Sequence, residues 1–420
     1  MIALVDINNF YAACERMFNP SLNGRPIVVL SNNDGCAIAR SEEAKALGVQ
    51  MGTPIGKLKQ LIKDKSLAVY SSNYTLYGSM SQRVMTLLRG FAANVEVYSI
   101  DEAFLECTGM STEKLNSWAR KIRETILSHT GLPVSVGIAP TKALAKMANH
   151  FAKKHNRQVG VWVVNDRAAT DKLLHDTAID DIWGIGWQYQ KLLKGKGVNT
   201  AAEFVQLPDA WIRNNMTVMS LRLAFELRGV NAFKWEETPD SRKNICTSRA
   251  FQERLTSLKQ LEAPVASHAA TCSRKLRAEK SCAKNLHVFI HTNPFNSKDA
   301  QHSASITIPL ATPTSSSQEL VKYAIMGLRR IYQPGYNYHK CGVIVMDLVP
   351  EQTIQLSLFD ERDRPKEARL MKALDKTNTR FGKDVVRYAA HGYDTAWHLR
   401  ARRLSSRYTT RLEEIMIVKS

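Results

Sequence analysis

Three acidic residues in this chain sit where carboxylates can be turned to chemistry. Asp6 follows the apolar run Ile2-Ala3-Leu4-Val5, and an acid ending a buried strand is presented at its exposed end, a common place for a ligand-binding or catalytic group. Asp101 and Glu102 are adjacent within Tyr98-Ser99-Ile100-Asp101-Glu102-Ala103-Phe104. On a straight strand such neighbours point to opposite faces, but at a hairpin turn both can converge on one point. Three converging carboxylates repel one another unless a divalent cation neutralises them, and hard oxygen donors that leave room for substrate phosphates suit Mg²⁺. Two such ions can activate an attacking oxygen and stabilise a leaving one in phosphoryl transfer. Taken singly, each acid equally suits a solvated strand end or turn.

The elements that must position these acids can be read from periodicity. Strand patterns cover 2–6, 27–30, 95–99, 103–107 and 134–138, and helical patterns cover 10–17, 42–47, 73–88, 115–128 and 141–154. Gly48 stops the second helix and Thr141 is suited to cap the last. Because 95–99 and 103–107 are close enough for a hairpin, strand pairing is partly antiparallel and the fold class is α+β. The helix at 141–154 sorts Leu144, Met147, Ala148 and Phe151 onto one stripe and Lys142, Lys146, His150 and Lys153 onto another. That basic stripe suits either phosphates or solvent. Residues 165–230 lack strand patterns and read as a small helical module. After a polar stretch at 236–244, strand and helix signals resume up to Val343–Leu348, which implies a further domain, and the chain turns polar beyond Val349.

The chain has 420 residues, 44% of them hydrophobic, enough to give several domains a buried core. Its 58 Lys and Arg against 39 Asp and Glu leave a formal charge of +19, which favours a polyanionic partner and puts nucleic acid ahead of a membrane. No apolar run is long enough to span a bilayer, and the N-terminus opens directly on a strand pattern, pointing to a soluble, intracellular protein. The seven cysteines are scattered, without CxxC or Cys/His ligand spacing, and read as free thiols.

The segment Asp6-Ile7-Asn8-Asn9-Phe10-Tyr11-Ala12, followed much later by Ser99-Ile100-Asp101-Glu102, resembles the palm signature of Y-family DNA polymerases. The resemblance implies an α+β, multidomain right-hand polymerase: a palm at 1–9 and 73–165, fingers at 10–72, a helical thumb at 166–235, a little finger at 242–348, a linker at 349–360 and a C-terminal extension at 361–420. It implies that Asp6, Asp101 and Glu102, with the Ile7 carbonyl, hold two Mg²⁺ ions while a primer 3′-hydroxyl attacks the α-phosphate of a dNTP. Tyr11 matches the family's steric gate against a ribose 2′-hydroxyl. Ser41 to Val49 resembles the fingers helix that holds the triphosphate, with Lys45 where Arg is more usual and Glu42 where many members carry Tyr. Lys153 falls where the family has a triphosphate-binding lysine.

Further along, Ile182-Trp183-Gly184-Ile185-Gly186 with Lys191 resembles a helix-hairpin-helix, whose glycines let backbone amides approach a DNA phosphate. Gly184, Gly186 and Lys191 are the implied contacts to primer–template DNA. Arg242, Lys243, Arg249, Arg254, Arg274, Lys275 and Arg277 would track the template backbone in the little finger. Gln355-Leu356-Ser357-Leu358-Phe359 looks like the pentapeptide that bacterial proteins insert into the sliding clamp, with Gln355, Leu356, Leu358 and Phe359 as its contacts.

Ser31 to Cys36, Tyr74 to Tyr77 and Ser406 to Thr410 narrow the resemblance to the UmuC-type branch. That branch implies low-fidelity synthesis across damaged template in the SOS response, a UmuD′-type dimer as subunit, dependence on a RecA filament, and a cytoplasmic, nucleoid-associated bacterial setting without membrane contact. The region 361–420, with fifteen Lys and Arg against eight Asp and Glu, is the candidate for partner binding. Two other readings stay open on the residues alone: a non-catalytic DNA-binding adaptor, against which the intact acidic triad argues, and a nucleotidyl cyclase or nuclease, which also uses two metals on paired carboxylates. Replacing Leu358 and Phe359 together by Ala is expected to abolish binding to the sliding clamp, measured by surface plasmon resonance; persistent binding would remove the motif.

Overall fold

The apolar residues of Ile2–Ile7 are covered on both sides, so this segment, β1, becomes the middle strand of a sheet rather than an edge. In a computed structural model of the chain, the described residues are 1–64, 66–156, 158–236, 241–355, 360, 362–382, 384–392, 397 and 401–417. They form two units, Met1–Pro239 with Ala401–Ser420, and Asp240–Arg400.

In the first unit β1 is followed by α1 (Phe10–Phe18) and by a small three-stranded sheet of β2 (Ile27–Leu30), β3 (Ala37–Arg40) and β4 (Ala68–Ser71), in the order β3-β2-β4. Two short helices, α2 (Glu42–Ala46) and α3 (Lys59–Lys63), lie between β3 and β4 in sequence. Then come α4 (Tyr74–Leu88), β5 (Val95–Val97), β6 (Glu102–Glu106), α5 (Thr112–Thr130), β7 (Val134–Ala139), α6 (Lys142–His155) and β8 (Val161–Val163). The main sheet runs β5-β6-β1-β7-β8, with β1 antiparallel to both neighbours and β7 parallel to β8. One face packs Ala3, Val5 and Ile7 against α4 and α5 through Met80, Val84, Ala119 and Ile122. The other packs Leu4 and Phe104 against α6, and the same core continues into five helices, α7 (Arg167–Asp176), α8 (Trp187–Gly195), α9 (Ala201–Val205), α10 (Asp209–Asn215) and α11 (Val218–Leu227).

The approach of α6 to the sheet depends on one glycine. A Cβ built on Gly137, in β7, would come 2.1 Å from the Asn149 nitrogen and 2.5 Å from the Ala145 carbonyl oxygen, both backbone atoms of α6. Helix and strand therefore pack backbone to backbone here, a contact that no side chain permits. Asn149, buried beside it, donates from Nδ2 to the carbonyls of Leu4 (3.2 Å) and Ser135 (2.8 Å) and ties the helix across two strands. At the start of α6, Thr141 caps Leu144 N–H as expected. The buried Glu226 carboxylate accepts from the amides of Ala143 (3.1 Å), Ala232 (2.7 Å) and Phe233 (2.9 Å). It thereby joins the helical module to the helix's positive end.

The second unit is an antiparallel sheet in the order β11-β10-β12-β9, formed by β9 (Asn244–Leu255), β10 (Ser281–Thr292), β11 (Ser303–Thr314) and β12 (Tyr338–Pro350). Leu286, Val288 and Ile290 point into a core shared with α12 (Leu258–Ala278) and α13 (Ser317–Ile331), while His287, Phe289 and His291 alternate onto the opposite, partly exposed face. A final helix, α14 (Arg364–Phe381), is pinned by Arg364 to Glu319 (2.5 Å) and by Asp375 to Arg277 (2.6 Å).

The α+β class and the strand-free helical module agree with the sequence. All seven cysteines are free, and among the described residues no helix is long and apolar enough to cross a membrane. The C-terminal region does not form one piece: α14 belongs to the second unit, whereas 401–417 returns to the first. Gly137→Ala is expected to cost about 3 kcal/mol or more, because backbone must move to admit the methyl group; a thermal unfolding midpoint equal to wild type would contradict this close approach.

Candidate catalytic site

Strand register brings the acids together. Asp6 and Glu102 are direct cross-strand partners on β1 and β6, and the alternation that turns Leu4 and Phe104 toward α6 turns both carboxylates the same way. The ladder continues one residue further, where Ile7 N–H donates to the Asp101 carbonyl at 2.9 Å. Ser99 fixes the turn: its hydroxyl donates to Asp101 Oδ1 (2.6 Å) and accepts from the amides of Asp101 (3.2 Å) and Glu102 (3.1 Å). The sequence reading put both acids in the turn. Instead Glu102 opens β6 and Asp101 stands just before it, because pairing with β1 extends to Asp6.

The counter-charge comes from α6. Lys146 Nζ donates to Glu102 Oε2 (2.9 Å) and Oε1 (3.1 Å), and Lys153, two helical turns on, pairs with Asp6. Burial pushes the Asp6 carboxyl up to about 7, an effect that the Lys153 ammonium opposes and the negative charges of Glu102 and Asp101 reinforce. Lys142 makes a buried pair with Glu96 at 2.6 Å and donates to the Lys234 carbonyl at 2.7 Å. The three lysines of the basic stripe, Lys142, Lys146 and Lys153, are thus turned onto acids, whereas His150 stays exposed. Periodicity shows the stripe, but the acids that meet these lysines, more than forty positions away on the main sheet, leave no local signal. Lys146, which the sequence placed only in the basic stripe, is engaged as Lys153 is, and its ammonium lies 4.4 Å from the Tyr98 ring and 5.0 Å from that of Trp183.

The donor set is suited to a hard divalent cation: the Asp6, Asp101 and Glu102 carboxylates and the adjacent Ile7 carbonyl are all oxygen acceptors. Among the described residues no three His, Cys, Asp or Glu side chains are closed into a metal cage. The carboxylates of Asp6 and Glu102 meet ammonium groups and that of Asp101 meets Ser99.

The turn after β1 carries the next group. Asn9, in the left-handed region at φ 50°, starts α1, so that the half-buried Tyr11 follows directly. Its ring stacks on Tyr77 with centroids 4.4 Å apart and meets the Tyr74 ring edge-on at 5.9 Å. Burial raises the Tyr11 phenol, with Tyr74 and Asp101 adding to the rise, which places Asp101 within electrostatic reach of both Tyr11 and Asp6. Lys45, on α2, donates to Asn9 Oδ1 (2.8 Å) and Glu42 Oε1 (2.6 Å), tying the small sheet's helix to this turn. Asp6, Ile7, Tyr11, Lys45, Asp101, Glu102 and Lys153 are therefore gathered.

The hairpin lies in the helical module. Gly184 takes φ +90°, a conformation that side chains rarely adopt, and Gly186 precedes α8. Lys191 is exposed with its ammonium 6.0 Å from the Trp187 ring, and the element leading into the hairpin is only a 3₁₀ turn, Ile179–Asp181. The Trp183 ring meets that of Tyr98 at 5.6 Å, linking hairpin and acidic turn. In the second unit, Arg277 and Arg254 are occupied by Asp375 and Asp299. Gln355 is exposed, whereas Leu356, Leu358 and Phe359 lie outside the described residues.

Residues 5–150 match the impB/mucB/samB family, residues 242–358 match the C-terminal domain of that family, and residues 368–418 match a domain of unknown function. The chain is 40% identical to Protein UmuC of Salmonella typhimurium and 39% identical to Protein ImpB of Salmonella typhimurium, over 100% of both chains in each case. A solved Y-family DNA polymerase chimera of Dbh and Dpo4 superposes with a TM-score of 0.67 at 24% identity, covering 83% of this chain and 100% of the other. Replacing the two neutralising lysines, Lys146→Met with Lys153→Met, is expected to move the midpoint of Mg²⁺ stabilisation, read by thermal unfolding, at least ~10-fold lower in cation concentration. Equal midpoints would show that the cation does not compete for these carboxylates.

Proposed function

The chain belongs to the impB/mucB/samB family of Y-family, error-prone translesion DNA polymerases of the SOS response, and we propose that its chemistry is centred on Asp6, Asp101 and Glu102. One observation carries this assignment: Asp6 and Glu102 face each other across adjacent strands, with Asp101 at the turn between them. Y-family polymerases use divalent metal ions, and the finer assignment is two Mg²⁺ held by these three carboxylates and the Ile7 carbonyl. When bound, the ions supply activation of the primer 3′-hydroxyl and charge neutralisation at the leaving pyrophosphate.

The remaining roles fall to the chain's own residues. Residues 1–9 and 73–165 act as the palm, 10–72 as fingers, 166–235 as thumb and 242–348 as little finger. Tyr11, stacked on Tyr77, excludes a 2′-hydroxyl from the dNTP site. Lys153 and Lys45 bind the triphosphate, a role supported by their position on either side of the Asp6 turn. Gly184, Gly186 and Lys191 hold primer–template DNA by its backbone. Gln355, Leu356, Leu358 and Phe359 engage the sliding clamp, and the C-terminal region serves a UmuD′-type dimer and a RecA filament in the bacterial cytoplasm.

Primer extension on a template with one abasic site tests the reading, with Mg²⁺ and dNTPs, alone and with clamp, UmuD′-type dimer and RecA filament. Asp101→Asn should lower the extension rate at least ~10³-fold, about 4 kcal/mol of transition-state stabilisation. Wild type and Asp101→Asn equally inert under full reconstitution would overturn it, and cyclic nucleotide or shortened DNA as product would redirect it.

A further inference from the structure

The segment 401–417 returns from the far end of the sequence and belongs to the first unit, where it meets the helix that carries Tyr74 and Tyr77. Arg403 and Ser71 exchange hydrogen bonds, Ser71 N–H donating to the Arg403 carbonyl and Arg403 N–H to Ser71 Oγ, each at 3.0 Å. Arg402 N–H donates to Asp34 Oδ2 at 3.1 Å, and Tyr408 stacks on Phe18 with centroids 4.6 Å apart. The buried Asn73 side chain has two tasks. Its oxygen caps α4 by accepting from Leu76 N–H, and its Nδ2 donates to the carbonyls of Ser405 (3.0 Å) and Ser406 (3.2 Å). The strap is thereby fastened to the first turn of the helix that carries Tyr74 and Tyr77.

From Ser405 a polar chain runs inward. Ser405 Oγ donates to Glu15 Oε1 at 3.0 Å, and Tyr77 Oη donates to the same oxygen at 2.6 Å. Glu15 is 2% exposed and Tyr77 fully buried, so neither has water to fall back on, and a buried carboxylate that loses a donor bears the cost of its desolvation. The Tyr77 ring held in this way is the one on which Tyr11 stacks.

We propose that the C-terminal strap is a positioning element for sugar discrimination: Ser405 completes the chain Ser405–Glu15–Tyr77 that fixes the platform beneath Tyr11. This inference rests on the assignment of Tyr11 as the steric gate. The residues matched by the domain of unknown function, 368–418, thereby acquire a role for their last part. The strap touches no reacting atom; it acts through the angle and stiffness of the Tyr77 ring, and a gate that can tilt admits the extra hydroxyl.

The test uses the full-length chain with primer–template, Mg²⁺ and the partners of the extension assay, and reads kcat/KM for a dNTP over that for the matching rNTP. Ser405→Ala and Tyr77→Phe are expected to lower this ratio roughly tenfold, the scale of one hydrogen bond to a charged group. The change should arise from rNTP use rising relative to dNTP use at the same partner concentrations, a ratio that a loss of partner binding, common to both sugars, does not move. Glu15→Ala should do the same, and Glu15→Gln, which keeps an oxygen acceptor for both hydroxyls, should restore most of the ratio. Tyr11→Ala is the control. If it collapses the ratio while Ser405→Ala and Tyr77→Phe stay within about twofold of wild type, the strap's role is overturned and the gate stands. A uniform loss for both sugars with the ratio unchanged likewise overturns it, as a purely structural effect. If Tyr11→Ala itself leaves the ratio unchanged, the gate assignment fails and the inference fails with it. Should Tyr77→Phe unfold by circular dichroism, Ser405→Ala, on the half-exposed strap, carries the decision.

Discussion

Two carboxylates held side by side on adjacent strands, largely out of water, must be neutralised, and much of the first unit is arranged to do so. Asp6 and Glu102 cannot separate without breaking the pairing of β1 with β6, and their mutual repulsion is strengthened by burial. Positive charge has to be brought to them. The helix that brings it, α6, reaches the sheet only because Gly137 lets two backbones touch, and Asn149 locks its rotation so that Lys146 and Lys153 face the acids. A shift of one residue in the register of β1 would turn Asp6 into the opposite core and undo the arrangement.

The same logic separates charges that serve the fold from charges that stay exposed. The chain's excess of +19 is not spread freely over its surface. Lys142 is buried against Glu96, and Arg277, Arg254 and Arg364 are spent on Asp375, Asp299 and Glu319. Lys191, by contrast, is exposed, as the contact to a nucleic-acid backbone proposed for it would require. Counting basic residues overstates the binding surface, since an arginine in a partly buried bidentate pair is not free to release counterions.

Around the site, order is supplied by distant segments. The turn after β1 is held from one side by Lys45 and Glu42 of the small sheet's helix. The aromatic platform behind it is held from another side by Ser405 near the end of the chain. Tyr11 sits between these supports, in a cluster of four rings with Phe10, Tyr74 and Tyr77. Stacked aromatics with one hydroxyl anchored have few alternative rotamers, which would suit the excluding role proposed for Tyr11.

The sequence alone determined the α+β class, the run of most strands and helices in the first unit, the strand-free module and the acids themselves, because apolar periodicity and capping residues act over a few neighbours. Its motif around Asp6 and Asp101-Glu102 also sufficed to indicate the family. Only the tertiary structure decided that Glu102 lies within a strand opposite Asp6, that Lys142 is buried while Lys146 and Lys153 neutralise carboxylates, and that Gly137 is the point of closest approach. It alone separated 401–417 from α14 and brought Ser405 to Glu15. These are choices of partner between residues tens to hundreds of positions apart, governed by strand register and by the cost of leaving buried charge unpaired. Neither leaves a trace in the local order of amino acids.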